Sequence, residues 1–460
     1  MTALLQPDRG QAARSIIVVH PDNWAEWLGQ QPPRVRTTVA AHRLTGKAGN
    51  RAILPGEGAE DWSMLLICDE APSSPWRIAS LGEQLPEGTY RLTDGEVGAA
   101  GLGWVLAQHR FDRYRKEENG VGPRILLTGD PAAIEETERL AAATARVRDL
   151  VNTAAADLGP EELEAEVAAL AKAHGATLTV TRGRELETGY PMVHAVGQAA
   201  AKGREPRLIE LEWGRPDHPR VALVGKGVVF DSGGLDIKPS AGMRLMKKDM
   251  GGAAHVLALA ELVMQAHLPV RLHLLIPAVE NAVSGASFRP GDVLRSRKGL
   301  TVENTNTDAE GRLILADALA RAVEAEPELI LDYATLTGAA RVALGPDLPP
   351  LFANDDALAE ELLAAGRDEG DPLWRLPLWD GYDEMLKSDI ADMVNAPDGG
   401  FAGAVTAALF LRRFVPKEIA WAHMDVFAWR PAAKSGRPKG GDAFGLRAAW
   451  KVLKTRYPRG

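Results

Sequence analysis

The sequence predicts an α/β protein in two parts: a smaller N-terminal α/β domain, then a large C-terminal domain built on a helix-flanked mixed sheet. Three observations carry this. Apolar runs of strand length alternate with helix-period segments along the chain. At 460 residues the chain is too long for one ordinary core. Its 45% hydrophobic and 25% charged residues are those of a globular protein with a sizeable interior.

Taken in order, "SIIVVH", "MLLICD" and "RILLTG" read as strands, with "GEVGAAGLGWVLAQHRF" as a helix between the last two. This gives an N-terminal domain over residues 1–130. The Ala-rich stretch 131–152 reads as a connecting helix, and 153–460 as the large domain. "GPEELEAEVAALAKAHG" is a strongly signalled helix, with Pro160 in its first turn and Gly175 as its stop. After it, "TLTVTRG", "RLIELEW", "RVALVGKGVVF", "RLHLLIPAV" and "LILDYATL" read as buried strands. "GGAAHVLALAELVMQAH", "GRLILADALARAVEA" and "AVTAALFLRRFV" read as helices. No repeat or low-complexity tract appears, and "PAAKSGRPKGGDAFG" is a loop by its Pro and Gly breakers.

The net charge of -9 and pI near 5.7 disfavour broad nucleic-acid binding, which rests on phosphate neutralisation by Lys and Arg. The opening "MTALLQPDRGQAARSIIVVH" lacks an apolar run behind a basic start. No stretch of about 18 apolar residues is present to span a bilayer, so a cytoplasmic location is expected. Cys68 is the only cysteine and suits a buried strand thiol better than a nucleophile.

Chemistry is concentrated in two stretches. "NTDAEGRL" sets Asp308, Glu310 and Arg312 at alternate positions before a helical run, and extended backbone would aim all three at one small volume. "VGKGVVFDSGGLDIKPSAGMRLMKKDMGGAA" follows a strand with Lys226, Asp231, Asp236, Lys238 and Asp249. A single such residue is most often a solvated charge or a cap. The whole set at strand ends points to a ligand crevice. If Asp231, Asp249, Asp308 and Glu310 converge, their four negative charges need cations, and two divalent ions balance them. Paired metals polarise a carbonyl and acidify bound water. Phosphate-loop and dinucleotide spacings are absent, as is H-E-x-x-H. His255, His273 and His423 carry no inferred role.

With "VGKGVVFDSGG", "IKPSAGM", "KKDMGGAA", "NTDAEGRL", "DYATLTGAA", "SDIADM" and "WAHMDV" in this order, the chain resembles the leucine aminopeptidase (cytosol aminopeptidase) family over about residues 146–447. The resemblance implies a dinuclear metal-dependent exopeptidase that removes N-terminal residues from short peptides with a free amine. On it, Asp231 and Glu310 bridge two metals. Asp308, partly through its backbone carbonyl, completes the more exchangeable site; Lys226 and Asp249 complete the tighter one. Lys238 stabilises the oxyanion, and Arg312 holds a bicarbonate that serves as general base.

Zinc or manganese is implied, with cobalt or magnesium as alternatives, since the ligand set does not choose. Met246, Thr335, Leu336, Gly338 and Phe427 are implied as substrate-binding residues, and a homohexamer as the assembly. A narrow dipeptidase, for example for Cys-Gly, or an added DNA-binding role are the alternatives it leaves. The chain departs from the family at Lys248 beside Asp249, at Phe427, where Ala is usual, and in "KGGDAFG", where "KGATGFG" is usual.

Overall fold

The computed structural model describes residues 3–58, 61–115 and 122–459, and its apolar runs fold into two large sheets. The chain divides into two units, Met1–Ala142 with Ala433–Pro438, and Ala143–Ala432 with Lys439–Gly460. The break falls within the helix Ala132–Asn152.

In the first unit six strands run in the order Leu5–Pro7, Arg124–Thr128, Gly88–Leu92, Arg14–Val19, Trp62–Ile67 and Arg51–Pro55. All pairs are parallel except the edge strand Arg51–Pro55. Alternation along the strands buries both faces. Ile16, Met64, Leu66 and Tyr90 pack with Leu81 and Trp104, while Val19 and Leu65 pack with Val35 and Val39 of helix Pro33–Ala41. The helix expected over 95–111 is only Ala100–Leu106. Gly95 and Gly98 sit at φ of +81° and +46°, so the chain turns there first. Cys68 lies one residue past the strand Trp62–Ile67. It is buried, its thiol donates to the Arg77 carbonyl at 3.3 Å, and burial raises its pKa.

The second unit carries a nine-stranded mixed sheet. Its centre is parallel: Ala420–Asp425 pairs with Leu329–Ala334, that with Arg220–Gly225, and that with Arg271–Asn281. Arg207–Trp213, Thr177–Arg182 and Pro350–Ala353 add antiparallel pairs toward the two edges. The five strands expected from the sequence are all present, and "RVALVGKGVVF" divides into Arg220–Gly225 and Gly227–Asp231. Helix Glu310–Val323 covers one face, packing Leu315 and Leu319 with Ala222, Val224 and Ile330. On the other face Tyr333 stacks on His255 of helix Gly251–Gln265 at 5.3 Å between ring centroids. Because the central strands are parallel, Gly225, Ala334 and Asp425 end at one edge. That edge is where an open α/β sheet offers a crevice.

Candidate metal centre

The charged residues expected at the centre come from strand ends and from the turns and helix start beside them. Lys226 sits between Arg220–Gly225 and Gly227–Asp231, and Asp231 closes the second strand. Asp249 is in the single turn Met246–Met250 that leads into helix Gly251–Gln265. Two glycines let Lys226 reach inward. A Cβ on Gly252 would fall 2.1 Å from the Tyr333 carbonyl oxygen, and one on Gly311 would fall 2.6 Å from Lys226 Nζ.

The carboxylates and lysines interleave. Lys226 Nζ lies 2.8 Å from Asp249 Oδ2 and 2.8 Å from Glu310 Oε1, and donates to the Thr335 carbonyl at 3.1 Å. Lys238 Nζ lies 2.8 Å from Asp231 Oδ2 and also pairs with Asp308. Asp231, Asp308 and Glu310 each offer an oxygen within 4.8 Å of the others. Two ammonium groups against four carboxylates leave the cluster short of positive charge, and its protonation reflects this. Burial, with Asp231 adding repulsion, pushes Glu310 up to about 8 and Asp308 up to about 6. Burial alone would lower both lysines, but Asp249 and Glu310 around Lys226, and Asp231 around Lys238, hold them above the ordinary lysine value. Beyond these ammonium contacts the oxygens Asp249 Oδ2, Asp308 Oδ1 and Glu310 Oε1 have no further hydrogen-bond partner. Acceptors met only by two lysines, with negative charge in excess, fit divalent cations.

Arg312 does not join the carboxylates as extended backbone would require. The helix starts at Glu310, so residues 310 and 312 are rotated by about 200° about its axis. Arg312 instead donates through Nη1 to the Asn395 carbonyl at 2.6 Å, while its Nε is buried without a partner. Burial lowers its pKa to about 10 against the pull of Glu310 and Asp425.

Several supporting roles escaped the sequence reading. Asn281 donates to Asp231 Oδ1 at 2.8 Å and to the Thr307 carbonyl at 3.0 Å, tying the two charged stretches together. Asp236 Oδ2 accepts the Thr307 N–H at 2.7 Å. Asn395 accepts the N–H of Thr305 at 2.8 Å and donates to the Asn306 carbonyl at 2.7 Å. Asp236, Asn281 and Asn395 lie outside "NTDAEGRL" and "VFDSGG", and their partners are far apart in sequence, so no local signal marked these roles.

The expected substrate-binding residues border the same edge. Thr335 donates its hydroxyl to Asp249 Oδ1 at 2.7 Å. Leu336 is partly exposed, and Gly338 faces open space where a Cβ would stand. Met246 and Phe427 are also partly exposed. Lys248, whose orientation the sequence left open, points inward with its Nζ 4.9 Å from the Phe427 ring centroid, and burial lowers its pKa to about 7. Phe427 is followed by Ala428 at φ +56°, a left-handed conformation that costs a non-glycine residue about 1 kcal/mol.

A profile described as "Cytosol aminopeptidase family, catalytic domain" matches residues 145–449, and one described as "M17 aminopeptidase, N-terminal domain" matches 15–126. The chain belongs to the cytosol aminopeptidase family. A probable cytosol aminopeptidase of Syntrophotalea carbinolica is 44% identical over 369 residues, 76% of this chain and 73% of that protein. The crystal structure of the Coxiella burnetii cytosol aminopeptidase superposes with a TM-score of 0.94 at 44% identity, covering 99% of this chain and 100% of that one. The bottromycin maturation enzyme BotP, in complex with Mn, gives 0.86 at 33% identity, covering 97% and 100%. As a cytosol aminopeptidase family member, this chain is a hydrolase, a metal-dependent aminopeptidase. No helix among the described residues is long and apolar enough to cross a membrane.

Proposed function

We propose that this aminopeptidase binds two divalent ions through Lys226, Asp231, Asp249, Asp308 and Glu310, with Lys238 and Arg312 as its catalytic side chains. The observation that supports this most is the convergence of four carboxylates on only two lysines, with Asp231, Asp308 and Glu310 each offering an oxygen within 4.8 Å of the others. Asp231 and Glu310 would bridge. Asp249 with Lys226 would complete one site, and Asp308 the other. Lys226 must give up its proton to serve as a ligand, which a cation in its place favours. When bound, the pair of ions supplies carbonyl polarisation and an acidified water.

Lys238 is held charged by Asp231 and is less buried than Lys226, so it can donate to the oxygen of the scissile carbonyl as negative charge grows there. Arg312 and the amides that open helix Glu310–Val323 favour an anion, and would hold bicarbonate as the general base. Thr335, Leu336 and Gly338 would align the peptide, while Met246 and Phe427 would wall the pocket for its first side chain. The substrates proposed are short peptides with a free N-terminus, the assembly a homohexamer, and the location the cytoplasm. Zinc or manganese is the proposed metal; BotP carries Mn in its complex. The relatives described above lend no support to a narrow Cys-Gly dipeptidase or a DNA-binding role.

The test is a panel of aminoacyl-anilides and dipeptides after chelation, with Zn²⁺, Mn²⁺, Co²⁺ or Mg²⁺ restored singly. Loss of activity on chelation and recovery with two ions bound per chain is expected. Full activity in metal-free enzyme would remove the reading.

A further inference from the structure

Phe427, in the proposed pocket wall, leads into a two-stranded ribbon in which Trp429 pairs with Gly441 and Arg430 with Gly440. The ladder reaches back to the residue after Phe427, because the Asp442 N–H donates to the Ala428 carbonyl at 3.1 Å. Ala428 is closed in at its left-handed φ of +56°. A Cβ added to Gly251, which opens the helix after Asp249, would fall 2.4 Å from the Ala428 Cβ. A backbone strained in this way persists only where its surroundings over-determine it.

The ribbon is seated on the end of helix Ala132–Asn152, where Asn152 Oδ1 accepts the Gly441 N–H at 2.8 Å. Two glycines permit this approach. A Cβ on Gly440 would fall 2.7 Å from Asn152 Oδ1, and one on Gly441 would fall 2.7 Å from the Val151 Cβ and 2.8 Å from the Arg148 carbonyl oxygen. Gly441 stands where the family resemblance implies Ala, in the same chain that has Phe427 where Ala is usual. The Asn152 carbonyl separately accepts from Lys247 Nζ at 2.5 Å. That bond uses the main chain, so a side-chain substitution at 152 cuts only the tie to the ribbon. We infer that Asn152 is a positioning residue for first-residue selectivity: by anchoring the ribbon at Gly441 it holds Phe427 in the pocket wall. The inference rests on the proposed pocket of Met246, Thr335, Gly338 and Phe427.

The experiment measures metal content per chain and the Phe-to-Ala ratio of kcat/KM on anilides. Wild type, Asn152→Ala, Asn152→Asp, Gly441→Ala, Phe427→Ala and the double variant Asn152→Ala with Phe427→Ala are compared. Asn152→Ala should raise the ratio by about 10-fold, the low end of what a hydrophobic pocket can change, as the ring gains room to yield. Its metal content should match wild type. Asn152→Asp keeps an acceptor for the Gly441 N–H and should keep the wild-type ratio. Gly441→Ala attacks the same contact from the ribbon side and should also raise it, which serves where Asn152→Ala does not fold. On the Phe427→Ala background Asn152→Ala should add nothing, since the ring that it positions is gone. A wild-type ratio in the folded Asn152→Ala or Gly441→Ala protein overturns the inference. So does a shift that survives undiminished without the Phe427 ring, an equal shift in Asn152→Asp, or lost metal in Asn152→Ala. A ratio that Phe427→Ala alone leaves unchanged is a separate result: it would bring down the pocket reading, and this inference with it.

Discussion

The carboxylate of Asp425 accepts the backbone N–H of Leu336 at 2.9 Å, across 89 residues of sequence. It also accepts the Thr337 hydroxyl at 2.7 Å. Burial would raise its pKa, but Arg341 and His423 hold it below the ordinary aspartate value, so the carboxylate stays charged. The turn from Thr335 to Gly338 therefore takes its shape from the last residue of strand Ala420–Asp425.

Asp425→Ala should loosen that turn without touching a metal ligand. A misplacement of about 1 Å in a positioning element costs on the order of 100-fold, so kcat/KM for Leu-anilide should fall by roughly that factor. Metal content per chain should be unchanged. Wild-type kcat/KM in the folded variant would show that the turn holds its own shape.

Within the metal centre, Glu310→Ala and Lys238→Ala should separate into two phenotypes. Glu310→Ala removes an oxygen from the group shared with Asp231 and Asp308, so metal occupancy and activity should be lost together. Lys238→Ala removes an oxyanion donor and should keep both metals while turnover falls by about 10²- to 10³-fold. Elemental analysis beside kcat distinguishes them, and full metal in an inactive Glu310→Ala protein would contradict the assignment.

How much of this was legible depended on sequence distance. Lys226, Asp231, Asp249 and Glu310 were legible because charges right after apolar strands, or opening a helix, are visible in a short window. Asp425, Asn281 and Asn395 were not, since each acts on backbone or on a proposed ligand at least 26 residues away. The course of Arg312 was misjudged because periodicity two was applied to residues that begin a helix. The strands Pro350–Ala353 and Trp374–Arg375 are too short to carry a pattern. Whether Lys248 faced solvent or interior depended on Phe427, 179 positions later, and no local window holds both.

The departure "KGGDAFG" has a structural explanation that yields a stability prediction. Asp442 is buried between two arginines, accepting from Arg148 Nε at 2.8 Å and from Arg430 Nε. Burial would raise its pKa, but the two guanidiniums hold it below the ordinary 3.8. A lowered folded-state value stabilises the protein fully above 3.8, and that contribution is lost as pH falls through the lowered value. Asp442→Asn should cost about 3–5 kcal/mol at neutral pH, as for one partner removed from a buried pair. The gap to wild type in denaturant unfolding should then narrow as the pH drops below 3.8. A gap independent of pH would mean that packing, not charge, explains the loss.

Phe427 sets the last prediction. Its ring meets both Lys248, with Nζ 4.9 Å from the centroid, and Arg341, with Cζ at 5.6 Å. It is therefore held by cations rather than free to swing aside. An aromatic ring where the family resemblance implies a methyl adds volume to a packed wall that yields only at a cost, so the proposed first-residue pocket should be shallow. Wild type should turn over Ala- and Met-anilides better, relative to Phe- and Trp-anilides, than leucine aminopeptidases that carry Ala there. Phe427→Ala should shift the Phe-to-Ala ratio of kcat/KM toward bulk by about 10- to 200-fold, the range open to a hydrophobic pocket. Ratios are the right readout, because removing the ring also strips Lys248 of its partner and lowers single rates for an unrelated reason. A strong wild-type preference for Phe that survives Phe427→Ala would place the ring outside the pocket, with the support of Lys248 and Arg341 as its only task.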